Sequence, residues 1–277
     1  MIKNNKQGEF IRKTRKKRGF SQKKLGDLIG SQSTISRIEN NISNPNDLTI
    51  LLLSQALSIT PEEYFFAVFS KVEPDILILS RAISNAYLYQ NHIEQNKLYH
   101  VTEKLVQGNP EILAYYHYHL MVISSINHLN HELISTDIQN ELIDYFFFIE
   151  IWQTYDLYLL LQVAYGIKAK RMIPYITDIL KQYTNGELPA TIEPIIGDVI
   201  LALLESSIMQ NDLETSAFIF DKIKNINFQK QDMRFQTVLL FFEGVFEDND
   251  QKIKDAYKIC NLLQQDQLMK RFDLFLS

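Results

Sequence analysis

Apolar residues recur every three or four positions near the start of the chain, and this spacing predicts two short helices. Leu25, Leu28 and Ile29 form the inner stripe of the first helix. Gly30 ends this helix, because glycine adopts the left-handed conformation of a helix C-terminus at little cost. Ser31 is a good N-cap for a second helix. Two helices joined by so short a turn form a helix-turn-helix pattern.

The second helix is expected from Gln32 to Asn40, and its two sides differ in polarity. Ile35, Ile38 and Ile42 fall on one side at about 100° per residue. The other side carries small and amide side chains and one arginine, namely Ser33, Ser36, Arg37 and Asn40. Such a face suits the major groove of DNA, because these groups form hydrogen bonds with base edges. A helix face that is only solvated would show the same pattern.

Further short helices are predicted on the C-terminal side of this pair. After a turn at Asn44 and Pro45, apolar residues mark an amphipathic helix at Leu48, Leu51, Leu52, Ala56 and Leu57. Residues 60–63, Thr-Pro-Glu-Glu, open another helix with an N-cap, a proline in the first turn and early acidic residues. With one helix before the pair, these make five short helices in about seventy residues, which is typical of a compact DNA-binding domain.

Beyond residue 74 the helical spacing continues, and the breaks between helices come at regular intervals. Glycine and proline are scarce, with 9 and 7 in the whole chain. The breaks mark units of about 36 to 40 residues, which is enough for a helical hairpin. The predicted helix pairs are 74–90 with 92–107, 110–129 with 136–149, 151–166 with 169–184, 191–210 with 212–225 and 230–247 with 250–265, followed by a terminal segment at 267–276. The pattern therefore predicts an all-α chain with a tetratricopeptide-like helical repeat, whose concave side is a common receptor for extended peptides.

Charge is distributed unevenly between these two parts. Residues 1–70 contain 11 lysines and arginines against 6 aspartates and glutamates, whereas the remaining residues contain 17 against 27. DNA attracts the basic part and repels the acidic part, so the acidic part is expected to bind something else. We predict a DNA-binding domain at 1–68, a linker at 69–74 and a peptide-sensing and dimerisation domain at 75–277.

Individual side chains can be assigned to DNA from this pattern. Base contacts are expected from the outer face and first turn of the second helix, at Gln32, Ser33, Ser36 and Arg37. Phosphate contacts are expected at Arg12, Lys23, Lys24 and Asn44. Glu39 lies at the edge of the apolar face, where an unpaired carboxylate would be costly, so we expect it to form a structural pair with Arg15.

The same segment resembles the lambda-repressor-like, or Xre-type, helix-turn-helix family. The matching positions are Arg15, Gly19, Ser21, Gln22, Leu25, Gly30, Ser33, Ile35, Ser36, Glu39, Asn40 and Pro45. The resemblance covers residues 1–68 and implies five helices, with the third in the major groove and Gln22 among the base-contacting residues. The sequence departs from the family at Gly26, where alanine is usual, and at Asn41, where a glycine normally ends the recognition helix.

A second resemblance lies in the helical repeat. Residues 150–160, Glu-Ile-Trp-Gln-Thr-Tyr-Asp-Leu-Tyr-Leu-Leu, resemble a segment that begins a middle repeat in the Rgg/GadR/MutR regulators of Gram-positive bacteria. Together with the Xre-type domain, the resemblance spans nearly the whole chain. It implies a receptor for a peptide pheromone that controls transcription, typically as a homodimer.

Candidate peptide-binding residues are polar positions that interrupt the apolar stripes on the first helix of each pair. They are Arg81, Asn85, Gln162, Asp198 and Glu205. Each of them could anchor a peptide backbone or terminus, and each would also fit an ordinary solvated or interhelical position. Their pattern does not distinguish these alternatives.

The sequence contains no motif for catalysis, a metal or a cofactor. Cys260 is the only cysteine, so no intramolecular disulfide can form, which suits a reducing cytoplasm. The six histidines lack the cysteine or acidic partners of a zinc site, and no phosphate-binding glycine loop or nucleophile elbow is present. The apolar runs are too short to cross a bilayer. We therefore expect a cytoplasmic protein that is neither an enzyme nor a membrane protein.

These patterns favour one function and leave two alternatives. The favoured function is a sequence-specific transcriptional regulator that binds double-stranded DNA, is controlled by a short signalling peptide and forms a homodimer through its C-terminal domain. The first alternative is a ligand-independent repressor of prophage type, in which the C-terminal domain only oligomerises. The second is an enzyme or scaffold that carries an accessory DNA-binding head, for which the sequence offers no motif.

Overall fold

A computed structural model of the chain describes residues 6–69, 74–225 and 232–276. All regular secondary structure in these ranges is helical, which confirms the predicted all-α class. The chain divides into two compact units, Met1–Pro74 and Asp75–Ser277. Most of the predicted linker, 69–74, lies outside the described residues.

The described residues of the first unit form five helices. They are α1 (Lys6–Lys17), α2 (Gln22–Ile29), α3 (Gln32–Glu39), α4 (Asp47–Leu57) and α5 (Pro61–Phe69). The side chains of Ser21, Ser31 and Asn46 begin α2, α3 and α4 by accepting a backbone N–H from the first turn. The core is formed by Ile11, Leu25, Ile35, Ile38, Leu53, Leu57, Tyr64 and Val68.

Some apolar positions in the first unit face solvent instead of the core. Leu28 is 57% exposed because α2 turns the side with Leu25 and Gly26 inward, which leaves Leu28 at the outer margin. Ile42 is 67% exposed because α3 ends at Glu39, so the helical spacing no longer applies to it. The inner stripes predicted for these two helices were wrong at Leu28 and Ile42.

The predicted stripe of α4 was also wrong in part. Leucines occur on almost every side of this helix, so the pattern alone does not define its buried face. Leu53 and Leu57 lie in the core, whereas Leu48 and Leu51 are 63% and 48% exposed on the opposite side.

The second unit is a series of helices in the order that the repeat pattern predicts. They are α6 (Asp75–Leu88), α7 (His92–Gly108), α8 (Leu113–Leu129), α9 (Thr136–Phe147), α10 (Thr154–Val163), α11 (Ile173–Thr184), α12 (Glu193–Met209), α13 (Leu213–Asn225), α14 (Met233–Phe246), α15 (Asp250–Leu262) and α16 (Asp266–Asp273). Short 3-10 turns at Ala169–Met172 and Ala190–Ile192 lead into α11 and α12. Each predicted helix lies within a few residues of an observed one.

Two kinds of contact organise this unit. Some consecutive helices pack closely on one another, both within a predicted pair, as in α12 with α13 and α14 with α15, and between two pairs, as in α7 with α8. The first helices of successive hairpins also pack on one another, so that α6, α8, α10 and α12 form a continuous layer. The middle of α12 is buried almost completely and forms the centre of the core.

The tryptophan segment is held within the third hairpin, which α10 and α11 form. Trp152 is 2% exposed; its indole N–H donates to Asp178 at 2.9 Å and its backbone N–H donates to Gln182 at 3.2 Å. Asp156 accepts from the backbone of Gln153 and completes a capping box at the start of α10. The segment therefore fixes the loop before α10 against α11, which explains physically why these residue types occur together. Among the described residues, no helix is both long and apolar enough to cross a membrane.

Candidate DNA-binding surface and ligand cavity

One side of α3 presents polar side chains to solvent. Gln32, Ser33 and Arg37 are exposed, and Ser36 is partly buried. The hydroxyl of Ser31 caps the helix by accepting the backbone N–H of Thr34 at 3.1 Å, and it also lies 2.8 Å from the hydroxyl of Ser33. The exposed side therefore matches the face that the sequence assigns to base contacts.

A buried ion pair holds α3 against α1. Arg15 donates from Nε to Glu39 Oε1 at 2.5 Å and from Nη2 to Oε2 at 3.0 Å. The remaining Nη1 donates to the carbonyl oxygen of Phe20 at 2.6 Å, and the side chain of Glu39 has no exposed area. The bidentate geometry is the strongest form of such a pair, so it fixes the angle between the two helices.

The environment of Glu39 favours its charged form. Burial by itself would raise the pKa of this carboxyl. Hydrogen bonds from Arg15 and Gln22, together with the charges of Arg15 and Arg12, outweigh burial, so the pKa of Glu39 is lowered. The carboxylate thus stays charged at neutral pH and holds three surrounding side chains.

Two residues predicted to contact DNA have intramolecular partners. Gln22 donates its amide N–H to Glu39 at 2.8 Å, which leaves its oxygen to accept from another group. Arg12 donates to the side chain of Asn40 at 2.6 Å and to the carbonyl of Glu39 at 3.3 Å, at the C-terminus of α3. Both contacts arise because these side chains border the buried carboxylate, which the residue pattern did not reveal.

The other predicted phosphate ligands lie on the surface. Lys23, Lys24 and Asn44 are exposed. The ammonium group of Lys24 lies 5.1 Å from the centre of the Phe20 ring, within the range of a cation–π contact. These side chains can reach a phosphate without losing a buried partner.

The two departures from the helix-turn-helix pattern are explained by backbone packing. A Cβ atom on Gly26 would overlap the backbone of Ser31 and Gln32, so α2 and α3 approach more closely than alanine would allow. Asn41 adopts a left-handed conformation with φ of 55°, and its side-chain oxygen accepts the backbone N–H of Gly8 at 2.9 Å. Asparagine therefore ends the α3 segment and also binds the start of α1.

A cavity of about 880 Å³ lies within the second unit. Its lining comes from α6, α8, α10, α12, α14 and α16 and from residues beside them. Gln162, Asp198 and Glu205 line it, as the peptide hypothesis requires, but Arg81 and Asn85 do not. The predicted face of α6 was therefore wrong with respect to this cavity, because α6 turns another side toward it.

The polar groups of the cavity wall are joined by hydrogen bonds. The amide of Gln162 donates to the hydroxyl of Ser80 at 2.8 Å and to that of Ser84 at 3.2 Å, which connects α10 with α6. Asp198 forms an ion pair with Arg234 and so connects α12 with α14. These groups therefore connect helices and also line the cavity.

Glu205 is the most buried charge in the cavity wall, with 3% of its side chain exposed. It accepts from the hydroxyl of Tyr165 at 2.6 Å and from Nη2 of Arg271 at 2.5 Å. Burial lowers the pKa of Arg271, but the charge of Glu205 more than compensates, so the net direction is upward. The pKa of Tyr165 is raised by burial and by the same carboxylate. Arg271 is therefore charged, and Tyr165 remains a hydrogen-bond donor.

A histidine lies between two tyrosines beside this pair. The ring of His128 stacks on Tyr87 at 4.5 Å and on Tyr165 at 4.1 Å between centroids. Burial lowers the pKa of His128 to about 4, with smaller contributions from His131 and Arg271. The imidazole is neutral at physiological pH and adds an aromatic wall to the cavity.

The C-terminal helix α16 is attached at several points. Gln267 donates to the hydroxyl of Tyr89 at 2.6 Å, across 178 positions of sequence. Phe272 stacks on Phe241 with centroids 4.0 Å apart. The helix is thus held between the two ends of the repeat and carries Arg271 into the cavity wall. Within the described ranges, histidine, cysteine, aspartate and glutamate form no cluster of three that could hold a metal.

Comparison with known families assigns both units. A helix-turn-helix family matches residues 11–64. The family described as "HTH-type transcriptional regulator Rgg, C-terminal domain" matches residues 95–274, which is more than half of the chain. The chain belongs to the Rgg family of transcriptional regulators. Both resemblances found in the sequence are thereby confirmed.

Solved structures share the fold of this Rgg-family chain. The SHP pheromone receptor Rgg2 of Streptococcus dysgalactiae is 19% identical, with a TM-score of 0.73, over 96% of this chain and 97% of that one. PrgX in complex with cCF10 is 15% identical, with a TM-score of 0.69, over 98% and 90%. PlcR of Bacillus thuringiensis, in complex with the peptide PapR7 and DNA, is 17% identical, with a TM-score of 0.56, over 97% and 99%. At these identities the likeness establishes the fold.

Sequence reasoning missed several residues of the Rgg-family cavity. Tyr165 lies three positions after Gln162, in the turn that follows α10, so helical spacing from Gln162 could have identified it. Arg271 could not be found this way, because its partner Glu205 is 66 positions earlier and the sequence predicted only a terminal segment at 267–276. Only the packing of α16 brings these two residues together.

Proposed function

We propose that this protein binds double-stranded DNA in a sequence-specific manner and regulates transcription in response to a short signalling peptide. The observation that carries the proposal is the exposed polar face of α3, which the Arg15–Glu39 pair fixes against α1, a helix with basic residues in its last turn. The cavity of the second unit is the proposed peptide site.

In this proposal α3 enters the major groove by its N-terminal end. Gln32, Ser33, Ser36 and Arg37 meet base edges, where an arginine preferentially reads guanine. Gln22 uses its free side-chain oxygen, because its amide N–H is held by Glu39. Lys23, Lys24, Asn44 and the half-exposed Arg12 neutralise phosphates.

The size and chemistry of the cavity support a peptide ligand. Its volume of about 880 Å³ is in the range of small-ligand sites, and polar anchors occur among aromatic and aliphatic walls. PrgX and PlcR, which share the fold, were solved with the peptides cCF10 and PapR7, and Rgg2 is described as a pheromone receptor. Gln162, Asp198 and Glu205 are the predicted anchors that line the cavity.

The proposed active form is a homodimer in the cytoplasm, assembled through the C-terminal unit. Two copies of α3 would then read half-sites about one DNA turn apart, on an operator that is roughly palindromic. The peptide acts by binding one arrangement of the dimer better than another, and so changes the affinity for the operator. Neither a metal nor a cofactor is required.

Selection from randomised duplex DNA tests the proposal. The full chain is expected to enrich a palindromic site, and Arg37→Ala to lose that enrichment while keeping weak binding to random DNA. A library of synthetic octapeptides is then added to the complex with the selected site. If no duplex is enriched, sequence-specific binding is contradicted. If a duplex is enriched but no peptide changes its binding, the ligand-independent oligomerising repressor is the better account.

A further inference from the structure

Charged side chains in the cavity of the second unit are not evenly balanced. Three cations, Arg234, Lys270 and Arg271, line it against two carboxylates, Asp198 and Glu205. Asp198 pairs with Arg234, and Glu205 pairs with Arg271. Lys270 has no acidic partner among the residues that the structure describes. The cavity therefore has one positive charge in excess.

Arg271 uses only part of its hydrogen-bonding capacity. Its Nη2 donates to Glu205 at 2.5 Å and approaches the hydroxyl of Tyr165 at 3.4 Å. In the described part of the chain, Nε and Nη1 have no partner. Since 27% of the side chain is exposed and the residue lines the cavity, these donors remain available to a ligand.

The guanidinium is also held in place before any ligand arrives. Phe272, the next residue, is 1% exposed and stacks on Phe241 with the two rings nearly parallel. Gln267 holds the first turn of α16 to Tyr89. A fixed, partly desolvated arginine with unused donors is suited to a carboxylate, because the planar fork matches two oxygens at once.

We propose that the peptide ligand presents a carboxylate to this cavity, with Arg271 as the residue that binds it and Lys270 as an auxiliary cation. The proposal rests on the proposed peptide function and adds the chemical group that is recognised. The carboxylate is either the C-terminus of the peptide or an aspartate or glutamate side chain. Glu205 competes with it for the same guanidinium and sets the strength of the interaction.

The test uses the full chain and three libraries of randomised octapeptides. The first contains no acidic residues and ends in a free carboxylate. The second has the same composition but ends in an amide, and the third is amidated with one aspartate at a random position. Peptides retained by the protein are identified by mass spectrometry, and the affinities of matched acid and neutral forms are measured by calorimetry.

We expect retained peptides to bind about 10- to 100-fold more tightly when they carry the carboxylate. Retention of peptides from the first library identifies the C-terminus as the source of the carboxylate, whereas retention from the third library identifies a side chain. Arg271→Gln should reduce the ratio of acid to neutral affinity to near one. Glu205→Gln should increase this ratio, because the competing carboxylate is gone. Arg171→Gln is the matched control, since Arg171 contacts Asn140 and does not line the cavity.

Two results would overturn the proposal in different ways. If matched acid and amide peptides bind equally well, the carboxylate inference is wrong and the peptide function stands. If no library yields a retained peptide, both are wrong. A purely structural role of Arg271 would weaken the acid and neutral forms alike. If Arg271→Gln does not fold, the opposite effect expected of Glu205→Gln and a reduced ratio in Lys270→Gln still decide the question.

Discussion

Glu39→Ala is expected to destabilise the first unit strongly, because it removes the acceptor on which three helices converge. Glu39 receives two hydrogen bonds from Arg15 and one from Gln22. The side chain of Arg15 is only 8% exposed, so the substitution would leave an uncompensated buried charge. Removing one partner of such a pair costs about 3 to 5 kcal/mol. Replacing both, as in Arg15→Met with Glu39→Leu, should cost much less.

Hydrogen exchange by mass spectrometry measures this effect in the full chain. Peptides from α1, α2 and α3 report the opening of the first unit. The single tryptophan, Trp152, lies in the second unit, so its fluorescence during urea unfolding is an internal control that should not change. A loss of less than about 1 kcal/mol in Glu39→Ala would refute the reasoning, and so would a double variant as unstable as the single one.

The pH dependence follows from the lowered pKa of Glu39. The carboxyl binds its proton less readily in the folded state than in the unfolded state. The contribution of Glu39 to stability is therefore complete above the pKa of the unfolded state, ordinarily near 4.5. This contribution is lost as the pH falls through the lower pKa of the folded state. In Glu39→Gln, the stability of the first unit measured by hydrogen exchange should therefore depend less on pH in this acidic range.

Three further predictions concern other parts of the molecule. Gly26→Ala should lower the free energy of unfolding of the first unit by about 1 to 3 kcal/mol, because the added Cβ would overlap the start of α3. Gly108→Ala is the control: the space around Gly108 is open, so urea unfolding should show little loss of stability. Arg37→Ala should cost about 1 to 3 kcal/mol of binding free energy on the selected operator and little on random DNA, as measured by anisotropy titrations. Lys23→Ala should weaken binding to both DNAs and reduce the salt slope by about one. Equal losses on both DNAs in Arg37→Ala would exclude base reading by Arg37. The pKa of His128 is about 4 in the folded state against an ordinary 6.5, so the second unit should lose stability as the pH falls from 6.5 toward 4. His128→Gln should reduce that loss in urea titrations followed by tryptophan fluorescence. An unchanged loss would contradict the pKa assigned to His128.

Much of the fold could be predicted because it depends on local patterns. Capping residues such as Ser31 and breaks near Pro110 act within one turn, so helix limits were predictable to a few residues. The exposed face of α3 followed from its 3.6-residue period. The same reasoning failed at α4, whose leucines occur on nearly all sides, so that only tertiary packing selects Leu53 and Leu57 for the core.

The sites were less predictable, since they depend on contacts between distant segments. The charge of Glu39 could be paired with Arg15, but the involvement of Gln22 and Arg12 depends on how α1 and α2 meet α3. For the cavity, the sequence criterion was a polar residue that interrupts an apolar stripe, and Arg81 and Glu205 met this criterion equally well. Only Glu205 lines the cavity, where α16 brings Arg271 to it.

The central claim is that one chain couples peptide binding to operator affinity. It is tested most directly by measuring the dissociation constant of the selected operator by fluorescence anisotropy, with and without a saturating retained peptide. The account predicts a change of about 5- to 150-fold, and by linkage the operator must change the affinity for the peptide by the same factor. A peptide that binds the cavity while the operator affinity stays the same would contradict it.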